Sequence, residues 1–76
     1  MEEGNFMKKL NLERIKHARE VQDITLQKMA DSLNLAGRAS YMLKEQGKRR
    51  FYANEVPIIC AMLNLTFDDV YTEDDE

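Results

Sequence analysis

The sequence predicts an all-α fold of five short helices, and three observations carry that expectation. Apolar residues recur at spacings of three and four, the period of a helix with one buried stripe. Only three Gly and one Pro interrupt the chain. No stretch shows the strict apolar–polar alternation of a half-buried strand. Seventy-six residues make one domain. A chain this short buries only roughly 60% of the surface that its unfolded form exposes, so its core is small. With 43% apolar and 33% charged residues, the composition fits a folded chain better than a disordered one.

Residues 1–10 have no clear period and read as a flexible arm, with Phe6 or Leu10 packing on the domain. Asn11 is a good N-cap for a first helix ending near Val21, whose buried stripe is Leu12, Ile15 and Ala18 with Arg19. Gln22-Asp23-Ile24 connects to Thr25, which caps a second helix running to about Leu33. Leu26, Met29, Ala30 and Leu33 form its apolar side, and Ala30 allows a close helix crossing. Asn34 suits the left-handed end of that helix.

The third helix is expected over 37–45, with Ala39, Met42 and Leu43 facing the core. Gly37, Arg38, Ser40, Tyr41 and Lys44 are expected outside. Gly47 stops this helix, Lys48-Arg49-Arg50 form a basic loop, and Phe51 tucks back as an anchor. Asn54 is expected to cap a fourth helix that accepts Pro57 in its first turn and ends at Asn64. Its apolar residues Ile58, Ile59, Ala61, Met62 and Leu63 form the floor of the core. Thr66 through Asp69 reads as a capping box for a last short helix that brings Phe67, Val70 and Tyr71 onto the core. The expected organisation is an arm at 1–10, a domain at 11–72 and an acidic tail at 73–76.

Charge is unevenly distributed. The net charge is −3, but six of the 14 acids lie at the two ends. Residues 5–72 hold eight acids against eleven bases. Residues 28–50 hold six bases, Lys28, Arg38, Lys44, Lys48, Arg49 and Arg50, against Asp31 and Glu45. Distribution, more than the total, decides whether a polyanion is attracted. Residues 25–51 thus read as helix, break, helix with small and basic residues, then basic loop. This is the layout of a helix-turn-helix, whose second helix enters a DNA major groove.

Catalytic chemistry is not indicated. One His and one Cys sustain no nucleophilic or metal-ligand set, and no Gly-rich phosphate loop is present. His17 reads as a surface residue, and Cys60 as a small buried hydrophobe in a reducing compartment. No metal or cofactor is expected, and the reading is a binding module, not an enzyme. Residues 1–10 lack the apolar core of a signal peptide, and no apolar run approaches the roughly 20 residues that span a bilayer. The expected location is the cytoplasm, without membrane contact.

Several segments in order carry a resemblance: LERIKHARE in the first helix, TLQKMADSLNL in the second, SYMLKEQGKRRF, and IICAMLNLTFDDVY. Together they resemble the Cro/repressor, or Xre-type, helix-turn-helix family of phages and bacterial mobile elements. The resemblance implies a lambda-repressor-like domain with the second and third helices as its reading unit. Carried over by position, Gly37, Arg38, Ser40, Tyr41 and Lys44 face bases or flanking phosphates. Lys48 and Arg49 lie on the backbone, and Gln27, Lys28 and Ala36 are further DNA-binding positions. The resemblance also implies a structural ion pair between Arg19 and Glu45. Leu26 stands where the family usually has a phosphate-clamping Gln, with Gln27 beside it as a substitute. Asn34 and Ala36 replace the commoner Gly and Ser of the turn.

Two functions follow as expectations. One is a sequence-specific regulator that binds a double-stranded operator as a homodimer. The alternative is an antirepressor or modulator that holds another phage-type regulator, motivated by the acidic tail and by an exposed Leu26.

Overall fold

The computed structural model describes residues 8–73. In chain order these are β1 (Lys8–Leu10), α1 (Leu12–Val21), α2 (Leu26–Ser32), α3 (Arg38–Glu45), a 3₁₀ turn (Ala53–Glu55), α4 (Val56–Leu63), α5 (Phe67–Val70) and β2 (Tyr71–Glu73). The fold is mainly helical, and no helix among the described residues is long and apolar enough to cross a membrane.

Side-chain caps set the helix starts. The Asn11 carboxamide oxygen accepts from the Arg14 N–H at 3.1 Å, and Thr25 Oγ1 accepts from the Lys28 N–H at 3.0 Å. At α5 the box is reciprocal: Thr66 Oγ1 accepts from the Asp69 N–H, while the Asp69 carboxylate accepts from the Thr66 N–H. Those bonds hold the Asp69 carboxyl below its ordinary pKa. The helix stops share one device. Asp23, Asn34 and Asn64 follow α1, α2 and α4 with φ of 57°, 60° and 58°, and Gly47 follows α3 with φ of 83°. Asn and Asp tolerate this left-handed region, and their carbonyl-rich side chains make them the usual stand-ins for glycine.

All five helices contribute to one core. Ile15 and Ala18 come from α1, Met29 and Ala30 from α2, Tyr41 from α3, Val56, Ile59, Cys60 and Leu63 from α4, and Val70 from α5. Leu10, Leu26, Leu35 and Phe51 pack at its edge. Burial pushes the Cys60 thiol pKa up, with the Asp69 charge adding to the effect.

Several expectations are corrected. The chain is not purely helical: β1 and β2 form a two-stranded antiparallel ribbon pairing Lys8 with Glu73, Lys9 with Thr72 and Leu10 with Tyr71. Three-residue strands are too short to display a period. Residues 8–10 are therefore not arm, and Glu73 is not tail; 1–7, including Phe6, and 74–76 lie outside the described residues. Asn54 lies inside the 3₁₀ turn, and α4 begins two residues later, with Pro57 in its first turn. Ile58 and Ala61 are exposed on the outer side of α4, and Phe67 is 55% exposed. The four-residue α5 can turn only one side inward, and that side carries Val70.

Candidate nucleic-acid interface

The phase of α3 differs from expectation. Tyr41, Lys44 and Glu45 are buried, while Ala39 and Met42 are exposed and Leu43 is half-buried. Three contacts turn the helix this way. Tyr41 reaches the core and meets Phe51 edge-on, with ring centroids 6.1 Å apart. Glu45 points at α1. Lys44 points at the 3₁₀ turn. The outward face is thus Arg38, Ala39, Met42 and, just past the end, Gln46. Residues 38, 42 and 46 are spaced by four and stack along one side. Gly37 is the N-cap and not the first helical residue; its backbone is fully extended and makes no side-chain cap.

Two buried ion pairs hold α3. Arg19 forks onto Glu45, with Nε to Oε2 at 2.9 Å and Nη2 to Oε1 at 3.0 Å. Its remaining nitrogen donates to the Ile24 carbonyl at 3.1 Å. The Glu45 bond, opposed by burial, raises the Arg19 pKa further, so the guanidinium stays charged. Lys44 Nζ donates to Glu55 Oε1 at 2.8 Å and to the Arg50 carbonyl at 3.0 Å, and sits 4.6 Å from the Tyr52 ring centroid. Glu55 Oε1 also accepts from the Tyr52 N–H at 2.9 Å. Tyr41 Oη, although buried, has no hydrogen-bond partner among the described residues.

These contacts sort the expected site residues. Arg38, Lys28, Gln27, Ala36, Lys48 and Arg49 are exposed, and Gly37 and Ser40 are half-buried. Tyr41 and Lys44 are 0% and 2% exposed, so neither offers a surface to a ligand. Gln27 is not a free clamp, because its Nε2 donates to Asp31 Oδ1 at 2.9 Å, one turn on. Leu26 is half-buried against the core and not fully exposed as expected. Ala39, Met42 and Gln46 were missed. Glu45 alone does not set this phase, since both Tyr41 at i−4 and Met42 at i−3 adjoin its face; the burial of Tyr41 and Lys44 together with Glu45 turns Met42 and Ala39 outward.

What remains at the surface is cationic. Between residues 27 and 50 the exposed charges are Lys28, Arg38, Lys48, Arg49 and Arg50 against the single carboxylate Asp31. The basic loop is braced from within. The Lys48 and Arg49 N–H groups both donate to the Leu43 carbonyl, and a Cβ on Gly47 would meet Leu12 Cδ1 at 3.2 Å. Comparison of the chain with protein-family models, curated proteins and solved structures found no match. Among the described residues, no three His, Cys, Asp or Glu side chains converge as metal ligands.

Proposed function

We propose that this chain is a sequence-specific regulator of the Cro/repressor type, with α2 and α3 as a helix-turn-helix and α3 in the DNA major groove. The observation that carries the reading is the surface charge. A chain of net −3 exposes five cations and one carboxylate across α2, α3 and the following loop. The ion pairs of Glu45 and Lys44 are internal, so they do not dilute that field. Arg38, at the first turn of α3, reads a base edge or a flanking phosphate; Ala39, Met42 and Gln46 extend the reading face. Lys48 and Arg49 hold the backbone. Two copies on two-fold related half-sites supply the affinity that one short helix lacks.

The test is selection from random duplexes at low salt, followed by titration against the enriched sequence. Affinity is expected to fall steeply with salt. Arg38→Ala is expected to lose sequence preference, and Lys48→Ala to weaken all duplexes alike. Gly37→Ser sharpens the test, because a Cβ there meets nothing within 4 Å among the described residues and serine is a good N-cap. The variant should be stable by the wild-type standard yet bind less tightly if Gly37 approaches the duplex closely. A selection that enriches nothing removes the reading.

A second reading, a modulator that grips another regulator, draws on one observation. Leu12, Leu26 and Met42 line a groove of about 270 Å³ between α1, the start of α2 and α3. It requires a stable complex with a partner protein and no direct duplex binding.

A further inference from the structure

The ribbon brings a cation to the basic loop from the far end of the sequence. Lys9, on β1, shares an open cleft of about 540 Å³ with Arg49 and Arg50. Leu10, Leu12 and Phe51 give the cleft an apolar floor, and no carboxylate among the described residues lines it. We infer that Lys9 and Arg50 join Arg49 in a phosphate-ester site that takes a phosphodiester of a nucleic-acid backbone, extending the backbone contact of Lys48 and Arg49. The identity of the ligand rests on the duplex-binding reading; the anion site itself rests on the cleft.

Three features favour this ligand. Guanidinium groups match phosphate oxygens with paired N–H donors, and a lysine adds a point charge that tolerates either oxygen. The floor is apolar, which suits the face of a ribose and weakens the competition of water for the anion. The backbone that presents the two arginines is also fixed in advance. Lys44 Nζ holds the Arg50 carbonyl, and the Leu43 carbonyl holds the Arg49 N–H. Lys44 reaches the cleft wall, but its ammonium is occupied by Glu55, so it orders the loop without contributing a contact. Pairing of Lys9 with Thr72 positions β1 at the edge of the cleft. Lys48, Arg49 and Arg50 are consecutive exposed cations with no acid between them in the chain.

The experiment uses the full chain and compares duplex binding over a range of salt for the wild type, Lys9→Gln and Arg50→Gln. Arg14→Gln, a cation on α1 beside Asp69, serves as control. Lys9 and Arg50 are exposed, so melting temperatures should match the wild type. Each of the two test variants is expected to lower the salt slope by about 0.9 and to weaken every sequence by the same several-fold factor, with the control unchanged. Inorganic phosphate is titrated in parallel and followed by amide shifts at residues 9, 49 and 50. Duplex binding by the wild type with unchanged slopes in both variants overturns this site and leaves the duplex reading intact. No duplex binding, but saturable phosphate shifts that Lys9→Gln abolishes, overturns the duplex reading and keeps the anion site. Loss of both signals overturns both.

Discussion

Lys44 and Glu45 are neighbours in the chain, and α3 turns both inward, yet they anchor different things. Glu45 meets a planar fork. Arg19 makes two parallel bonds to it and a third to the Ile24 carbonyl, so α1, α3 and the approach to α2 are fixed at one point. Lys44 meets a single carboxylate oxygen of Glu55, and its other ties run to the Arg50 carbonyl and the Tyr52 ring. The first pair sets the angle of a helix. The second sets the path of a loop. A rigid guanidinium suits the first task, and a compact ammonium that can serve several acceptors at once suits the second.

Removing Arg19 should have the largest effect. Arg19→Met leaves the Glu45 carboxylate buried with no cation, and a loss of about 3–5 kcal/mol in denaturant unfolding is expected. Arg19→Met with Glu45→Leu should recover most of that loss. A double variant as unstable as the single would mean that the fork contributes packing and not charge. Glu45→Gln should cost less than Arg19→Met, because Arg19 keeps the Ile24 carbonyl and has Glu20 3.8 Å away.

Lys44→Met comes next, at about 2–3 kcal/mol, since Glu55 retains the Tyr52 N–H when its cation is gone. Its second signature separates the two pairs. The loop loses its brace, so on the proposed duplex-binding reading affinity should fall equally for all sequences, whereas a conservative change at Glu45 should alter preference. Equal behaviour of the two variants would erase the distinction.

Tyr41→Phe should have the smallest effect, from neutral to about 1 kcal/mol stabilising, because it removes a buried hydroxyl with no partner among the described residues and keeps the ring against Phe51. Burial, and then the Glu45 charge, raise the Tyr41 phenol pKa in the folded state. A raised folded pKa means stability present below the unfolded value of about 10 and lost as pH rises above it. The gap between wild type and Tyr41→Phe should therefore widen in alkali. A destabilised variant would indicate a hydrogen bond from Tyr41 to Glu45 in solution.

Local signals carried much of the fold into the sequence. Asn11, Thr25 and Thr66 are caps whose meaning lies within three residues, and Asn34 and Asn64 are stops legible one at a time. What escaped was relational. The phase of α3 depends on Tyr41, whose amphipathic ring suits either face until its neighbours are known. Glu55 lies eleven residues from Lys44, with no periodic link between them, so the pair left no trace in the sequence. The ribbon is a pairing of segments near opposite ends, each too short to announce itself. At the candidate interface Arg38, Lys48 and Arg49 were legible as exposed cations, but Lys9 was not, because only the ribbon brings it there.

That ribbon also has a consequence for time. Two paired strands of three residues are marginal on their own, and closing them joins segments about sixty residues apart, at an entropic cost that helices do not carry. The ribbon is therefore the part of the fold most ready to open while the helices stay formed. Amide exchange at residues 8–10 and 71–73 should run far ahead of exchange in α1 and α4. Whatever Lys9 holds would slow it.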